Sequence, residues 1–214
     1  MIKQKLIVWD WNGTLLNDVE ACVDSINIML ERRNKKAINS QMYLDIFTFP
    51  VQDYYNLLGF DFAKESFEEL SIEYINLYKM HSINSPLQIG VLKALEHFKT
   101  ETFKQIIVSA SEQTNLENQI EQHNIQGYFD TVIGLNNIHA KSKLQNALNY
   151  MQSSKIDVEK VVFIGDTYHD YEVASAIGCN SILVKNGHQN LNRFRLNGNV
   201  KLIESLTEVY EINF

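Results

Sequence analysis

Hydrophobic residues occur along the chain in two patterns, short continuous runs and helical repeats. The first run, Leu6–Trp9, is typical of a strand that is buried on both faces of a parallel sheet. Helical repeats separate the later runs, and strands that alternate with helices predict an α/β fold with a doubly wound parallel sheet. The predicted later strands lie at 105–108, 131–133, 161–164, 181–184 and, as a short edge strand before a final helix, 200–203.

The alternation is interrupted directly after the first strand. From about residue 18 to residue 83, apolar residues recur at helical spacing without a convincing strand. The predicted helices are 18–33, a short one capped by Ser40, a short one after Pro50, and one that ends near His81. The pattern therefore predicts an α/β core formed by residues 1–17 and 84–214, resuming with a helix at 87–98, and an inserted all-α domain at 18–83.

Composition and charge exclude several classes of partner. The chain has 214 residues, 45% of them hydrophobic, and a formal net charge of −7. An acidic chain without a basic run disfavours nucleic acid and anionic membranes, which select clustered Lys and Arg. No apolar stretch approaches the ~18 residues of a membrane span, the first residues lack the apolar core of a signal peptide, and Cys22 and Cys179 are far apart. We expect a cytoplasmic protein with reduced thiols.

Polar side chains follow the ends of three predicted strands. Asp10 follows the first strand, Ser109 the second, and Asp166 and Asp170 the fourth. Because the carboxyl ends of parallel strands meet at one edge of the sheet, these groups are expected to lie together. Carboxylates that share a site favour a divalent cation, and a set of oxygen ligands indicates Mg²⁺. With a lysine at the start of a later helix, this inventory indicates phosphoryl chemistry.

These residues also resemble the motifs of a known family, the haloacid dehalogenase-like hydrolases. Residues 10–14, Asp-Trp-Asn-Gly-Thr, resemble the first motif, DxDGT, and residues 165–170, Gly-Asp-Thr-Tyr-His-Asp, resemble the fourth, GDxxxD. Ser109 is similar to the second motif and the helix-start lysine to the third. The helical insertion falls where a type 1 cap sits, as in phosphoglycolate phosphatase-like and β-phosphoglucomutase-like members. The resemblance covers nearly the whole chain and implies a Rossmann-like core with an inserted helical cap.

The resemblance implies a role for each matching residue. Asp10 is the expected nucleophile, which forms an aspartyl phosphate. The expected Mg²⁺ ligands are the carboxylates of Asp10 and Asp166 and the backbone carbonyl of Asn12, with Asp170 as a ligand or a support through water. The turn and phosphate-binding groups are expected to be Gly13, Thr14, Ser109 and one lysine. That lysine is Lys143 or Lys141, and Lys143 is favoured because Ser142 precedes it as a helix cap.

Position 12 departs from the family pattern. The family's second carboxylate of the first motif is a general acid and base, and here that residue is Asn12. An amide forms hydrogen bonds but cannot cycle a proton, and losing this group costs about 10²–10⁴-fold in rate. Three interpretations stay open: a substrate with a different leaving group, of the phosphonate type; a substitute such as His169 or a residue of the insertion; or a low-turnover phosphoryl-binding or regulatory protein.

We therefore expect a Mg²⁺-dependent phosphatase of a small phosphorylated metabolite, present as a monomer or homodimer. A receiver-like signalling domain also combines Asp, Ser or Thr, and Lys on a doubly wound sheet, but the insertion and the GDxxxD loop disfavour it. Trp11 is expected to pack in the core, with contact to the leaving group as the alternative. The aromatic residues of the insertion considered are Phe47, Phe49, Tyr54, Tyr55 and Tyr74. Most of them are expected in the core of the insertion, and a minority is expected to face the site.

Overall fold

Six parallel strands form one sheet at the centre of the computed structural model, which describes residues 5–136 and 143–211. The strands are β1 (Leu6–Trp9), β2 (Lys104–Glu112), β3 (Thr131–Leu135), β4 (Val161–Gly165), β5 (Asn180–Val184) and β6 (Val200–Ile203). Their order across the sheet is β3-β2-β1-β4-β5-β6, and every neighbouring pair is parallel. The chain winds outward from β1 in both directions, so the switch point lies between β1 and β4. The predicted doubly wound parallel sheet is confirmed.

Eight α-helices are described in these ranges, and none of them is long and apolar enough to cross a bilayer. They are α1 (Val19–Glu31), α2 (Ser40–Ile46), α3 (Val51–Leu57), α4 (Phe67–His81), α5 (Val91–Thr100), α6 (Gln113–Gln122), α7 (Leu144–Ser154) and α8 (Tyr168–Ile177). The first four helices lie between β1 and the rest of the sheet, as the helical repeats predict.

The central strand β1 is apolar at every position, so it can be buried on both faces of the sheet. Ile7 and Trp9 of β1 pack with α5 and α6 on one face, and Leu6 and Val8 pack with α7 and α8 on the other. All four residues of β1 are 0% exposed. The first strand is therefore central in a three-layer sandwich, and the residue that follows it is held rigidly.

The helical insertion buries a hydrophobic cluster of its own. This cluster extends from Ala21 to Tyr78 and includes the fully buried rings of Tyr43, Tyr54 and Tyr55. A separate core explains why the helices form a distinct all-α unit against the sheet. Its boundaries at residues 18 and 83 stay a prediction.

Two predicted helix starts are wrong. Helix α5 begins at Val91 instead of Leu87, because Leu87 pairs with Leu16 in an isolated antiparallel bridge and Gly90 is left-handed with φ 93°. Helix α2 is capped by Asn39 instead of Ser40, since the Asn39 side chain accepts the Met42 N–H at 2.8 Å. Apolar periodicity marks the helix but does not identify its first residue.

Two other elements differ from the sequence pattern. Strand β2 continues past Ser109 to Glu112, with a shift of its register against β3 after Val108. The predicted final helix is a 3-10 helix, Leu206–Glu211. The longer β2 matters for the site because it places Ser109 inside the strand, and Ser111 lies near the carboxyl end of that strand.

Gly134→Ala is expected to destabilise the fold where β2 and β3 meet. An added Cβ would lie 2.8 Å from the Ser111 carbonyl oxygen and 2.9 Å from the Gln113 Cα, both backbone atoms. The free energy of unfolding should fall by about 1–3 kcal/mol, measured by urea denaturation. Gly127→Ala is the matched control, since nothing lies within 4 Å of its added Cβ, and its effect should stay within about 0.5 kcal/mol. Equal effects of the two substitutions would contradict this packing.

Candidate active site

The carboxyl ends of β1 and β4 bring Asp10 and Asp166 to the switch point of the sheet. The Asp10 N–H donates to the Ile164 carbonyl at 2.8 Å, which fixes the residue after β1 against β4. One carboxylate oxygen from each of Asp10, Asp166 and Asp170 lies within 4.8 Å of those of the other two. This separation is close to the roughly 4.2 Å between opposite ligands of a Mg²⁺ ion, each at about 2.1 Å. The three predicted carboxylates are therefore together.

The start of α8 fixes Asp170 as an acceptor. Its Oδ2 accepts the N–H groups of Asp166 at 3.1 Å and Thr167 at 2.9 Å, and the Thr167 hydroxyl at 2.6 Å. Its Oδ1 lies 2.5 Å from Nζ of Lys143. Asp170 thus holds the loop that carries Asp166 and also faces the lysine.

Lys143 is the candidate lysine that the structure brings into the site. It occupies the N-cap position of α7, and its ammonium group contacts the carboxylates of Asp10 and Asp170. The residue is only 2% exposed. The alternative, Lys141, and the predicted cap Ser142 lie outside the described residues. A buried ammonium between two carboxylates is a charge-assisted contact, stronger than a neutral hydrogen bond.

Burial and mutual repulsion set the charges of this cluster. Burial and the neighbouring Asp170 and Asp166 raise the pKa of Asp10 well above its usual range, although Lys143 opposes them. Burial also raises the pKa of Asp166 to about 6. Burial alone would lower the pKa of Lys143, but attraction to Asp10 and Asp170 outweighs it and raises that pKa. The cluster carries more negative charge than one lysine neutralises, which favours a further cation.

The turn after β1 wraps around Asp166. The Thr14 hydroxyl donates to Asp166 Oδ1 at 2.6 Å. Gly13 has φ 73°, and an added Cβ would overlap the Asp166 carboxylate, so this position requires glycine. Ser109 is 1% exposed, lies in the wall of the same cavity as Asp10, and accepts the Ser111 N–H at 3.1 Å. The contact that Thr14 makes is with a carboxylate, and its predicted role toward phosphate stays a prediction.

The side chain of Asn12 is fixed by three hydrogen bonds. Its amide nitrogen donates to Asp18 Oδ2 and to the Tyr78 hydroxyl oxygen, both at 2.7 Å. Its amide oxygen accepts the Ser111 hydroxyl at 2.5 Å. Both amide hydrogens are engaged, and one of them is given to a carboxylate. An amide is therefore the side chain that this position accommodates, because a second carboxylate here would face Asp18 directly.

Asp18 and His188 belong to the site, although the sequence analysis did not select them. Asp18 makes no capping hydrogen bond to α1 and instead accepts the Gly13 N–H at 2.9 Å and lies 3.1 Å from His188 Nε2. The backbone N–H of His188 donates to the Asp166 carboxylate at 2.6 Å. An acidic residue before a helix is ordinarily a cap, which hides Asp18. His188 follows β5 at the same sheet edge, and that position is the signal that could have identified it.

The pair of Asp18 and His188 is a buried ion pair. Burial would lower the pKa of His188, but the charge of Asp18 and the hydrogen bond to it raise that pKa to about 9. Burial would raise the pKa of Asp18, but His188 and the hydrogen bonds from Asn12 and Tyr78 lower it. The other imidazole nitrogen of His188 lies 2.9 Å from the Tyr43 hydroxyl of the insertion. This pair therefore connects the helical insertion to the edge of the sheet that carries Asp166.

Two residues that the sequence analysis considered near the chemistry have other contacts. His169 Nδ1 lies 3.3 Å from Glu172, and its ring lies against Phe49 with 5.0 Å between centroids. Trp11 is 0% exposed, and its indole N–H donates to Gln119 at 2.8 Å. Trp11 therefore packs in the core, as expected, and does not line the cavity described next.

A cavity of about 140 Å³ lies between the strand ends and the helical insertion. Asp10, Asn12, Ser109 and Lys143 form its floor, and the insertion supplies an aromatic wall. The aromatic residues in contact with the cavity are Phe47, Phe49, Tyr54, Tyr55, Tyr74 and Tyr78. The prediction that only a minority of these rings face the site is wrong. Tyr54, Tyr55 and Tyr78 belong to the core of the insertion and line the cavity as well.

Comparison with known proteins identifies the family. The model of the haloacid dehalogenase-like hydrolases matches residues 7–184, which is most of the chain. The chain belongs to the haloacid dehalogenase-like hydrolases. Three of the motifs that resemble this family thus lie at the ends of strands of a member, and the lysine of the other motif lies at the start of α7.

Individual relatives are distant. The chain is 24% identical over 194 residues to a phosphoglycolate phosphatase of Aquifex aeolicus (strain VF5), covering 88% of both chains. It is 20% identical, with a TM-score of 0.80, to a haloacid dehalogenase-like hydrolase of Bacteroides fragilis, covering 97% of this chain and all of that one. Protein Tyrosine Kinase A of Mycobacterium tuberculosis is 18% identical with the same TM-score, covering 99% and 98%. Differently named proteins share this fold, so the reaction must be argued from the site.

Asn12→Asp is expected to destabilise this hydrolase. The new carboxylate would replace an N–H donor 2.7 Å from Asp18, and two buried carboxylates repel. The free energy of unfolding at pH 7 should fall by about 1–3 kcal/mol, measured by urea denaturation. Asn190→Asp is the matched control, because Asn190 donates to Asp45 at 2.8 Å in an exposed pair, and its cost should be below about 1 kcal/mol. Unchanged stability of Asn12→Asp would show that the amide contact is unimportant.

Proposed function

We propose that this chain is a Mg²⁺-dependent phosphatase that acts on a small phosphorylated compound through an aspartyl phosphate on Asp10. The observation that carries the proposal is the buried cluster of Asp10, Asp166, Asp170 and Lys143 at the switch point of the sheet. Three carboxylates and one ammonium group match the needs of phosphoryl transfer: a nucleophile, oxygen ligands for a hard cation and a positive charge for the phosphoryl oxygens.

The donor set fits Mg²⁺. The carboxylates of Asp10 and Asp166 and the backbone carbonyl of Asn12 would hold the ion, with Asp170 in support. Burial and the neighbouring carboxylates raise the pKa of Asp10, and burial raises the pKa of Asp166, so both groups resist ionising unless a further cation lies beside them. When bound, Mg²⁺ would neutralise the repulsion between a phosphate group and these carboxylates and keep Asp10 ionised. The second donor group, Asp18 with Cys22 and His188, is already satisfied by its own ion pair.

The chain's own residues would act in two steps. A carboxylate oxygen of Asp10 attacks phosphorus, the bond to the leaving oxygen breaks, and its electron pair departs with that oxygen. Water then attacks the aspartyl phosphate, and phosphate leaves with regeneration of the Asp10 carboxylate. Lys143 and Ser109 would hold the phosphoryl oxygens throughout. Lys143 is suited to this because Asp170 fixes it beside Asp10.

The helical insertion would act as the cap of this site. Its Tyr78 hydroxyl donates to Asp18 at 2.7 Å, and its Phe47 carbonyl accepts the side-chain amide of Gln189 at 2.9 Å. These contacts hold the aromatic wall over Asp10. A cap that closes in this way would exclude water and select the leaving group.

Asp10→Asn is expected to abolish turnover, because an amide is not a nucleophile toward phosphorus. Phosphate release from small phosphomonoesters in the presence of Mg²⁺ should fall by at least about 10³-fold. Asp157→Asn is the control, since this exposed Asp pairs with Lys160 and accepts the backbone N–H of Glu159. Retained activity in Asp10→Asn, or no phosphate release by the wild type with Mg²⁺, would overturn the proposal.

Mg²⁺ is expected to stabilise the folded protein in a way that depends on Asp166. A ligand present at about 100 times its Kd adds about 2.7 kcal/mol, so the Tm should rise in MgCl₂ relative to NaCl of equal ionic strength. Asp166→Asn removes one charged ligand and should lose most of this rise, whereas Asp157→Asn should keep it. Equal shifts in the two variants would place the bound ion elsewhere.

The fixed amide of Asn12 favours one second candidate, a low-turnover phosphoryl-binding protein. Asn12 cannot activate the water that hydrolyses an aspartyl phosphate. In that case phosphorylated Asp10 would accumulate, and release of the leaving alcohol would stop near one equivalent per protein. Continuous phosphate release over many turnovers distinguishes the phosphatase from this candidate.

A further inference from the structure

We propose that the leaving group held beside Asp10 is an uncharged aromatic ring, so that the preferred substrate is an aryl phosphomonoester. This inference rests on the proposed phosphatase activity and specifies its substrate class. It contrasts with phosphoglycolate, whose leaving group is a small alcohol that carries a carboxylate. Three features of the cavity support it: its wall, its charges and the side chain at position 12.

The wall of the cavity is shaped for a ring. Phe47 packs edge-on against Tyr54 at 5.3 Å and Phe49 at 5.4 Å between ring centroids, and these rings surround the space above Asp10. Aromatic pairs prefer such edge-to-face and offset arrangements at 4.5–7 Å, so a further ring finds favourable partners here.

The charges of the cavity disfavour a carboxylate on the leaving group. Among the described residues of its wall, Lys143 is paired with Asp10 and Asp170, and His188 is paired with Asp18. Lys79 lies at the exposed rim, where its charge acts on Glu112. No buried cation in the described wall is left to receive a second anion. A carboxylate placed among these rings would lose its hydration without a partner.

The side chain at position 12 agrees with an aryl leaving group. Asn12 cannot protonate the departing oxygen, and its amide hydrogens are already given to Asp18 and Tyr78. A phenol has a pKa of about 10. The pKa of a simple alcohol is comparable to that of water, ~15.7, which is roughly six units higher. An aryloxide therefore departs without a proton far more easily than an alkoxide. The aromatic wall and the missing acid thus select the same substrates.

The test compares four phosphomonoesters with the wild-type protein in Mg²⁺: phenyl, benzyl and ethyl phosphate, and 2-phosphoglycolate. Benzyl and ethyl phosphate both release alkyl alcohols, so their ratio reports binding of the ring. Phenyl and benzyl phosphate both carry a ring, so their ratio reports the need for a proton. We expect kcat/KM to fall at least tenfold from phenyl to benzyl and at least tenfold again from benzyl to ethyl phosphate. 2-Phosphoglycolate should be no better than ethyl phosphate.

Variants of the aromatic wall separate ring binding from reactivity. Phe47→Ala should lower kcat/KM for phenyl phosphate at least tenfold more than it lowers kcat/KM for ethyl phosphate, and the difference should lie mostly in KM. Leu57→Ala is the control, since Leu57 is an exposed residue of the insertion.

The outcomes distinguish the inference from the function on which it rests. Release of phosphate from none of the four esters overturns the phosphatase itself. Release from 2-phosphoglycolate at a kcat/KM equal to or above that of phenyl phosphate leaves the phosphatase standing and overturns the aryl preference. A ring preference that Phe47→Ala does not change also overturns it, because the ring would then bind outside this cavity.

Discussion

The contact of Lys143 with the carboxylates of Asp10 and Asp170 is the interaction on which the site depends. Buried carboxylates repel, and without the ammonium group the edge of the sheet would hold three negative charges with little water to screen them. The lysine allows them to stay close, yet it leaves a surplus of negative charge that a divalent cation suits.

A second network joins the helical insertion to this edge. Asp18 lies at its centre and contacts Asn12, Tyr78 and His188, while His188 also binds Asp166. The same hydrogen bonds therefore set the positions of the aromatic wall and of Asp166. This network also explains why an amide suits residue 12, because a carboxylate there would lie directly against Asp18.

Membership of the haloacid dehalogenase-like hydrolases settles the fold and the general arrangement of the motifs. It does not settle the substrate, since a hydrolase and a protein named as a kinase match this chain with the same TM-score. A shared fold carries many functions, which the side chains of the site decide. In this chain the rings of Phe47 and Tyr54 form part of the aromatic wall of the cavity that also contains Asp10.

The sheet and the helical insertion were predictable from the amino-acid sequence, because apolar runs and helical repeats depend on local periodicity. The residues at the strand ends were predictable as well, because parallel strands end on one edge of the sheet. Asp10, Ser109 and Asp166 were predictable for that reason. Three features are visible only in the folded chain. Lys143 lies between two carboxylates, Asp18 pairs with His188, 170 positions away, and the aromatic residues line a cavity. These contacts join segments that are far apart in the sequence and share no hydrophobic pattern. Side-chain packing brings the segments together, and it leaves no signal in the local sequence.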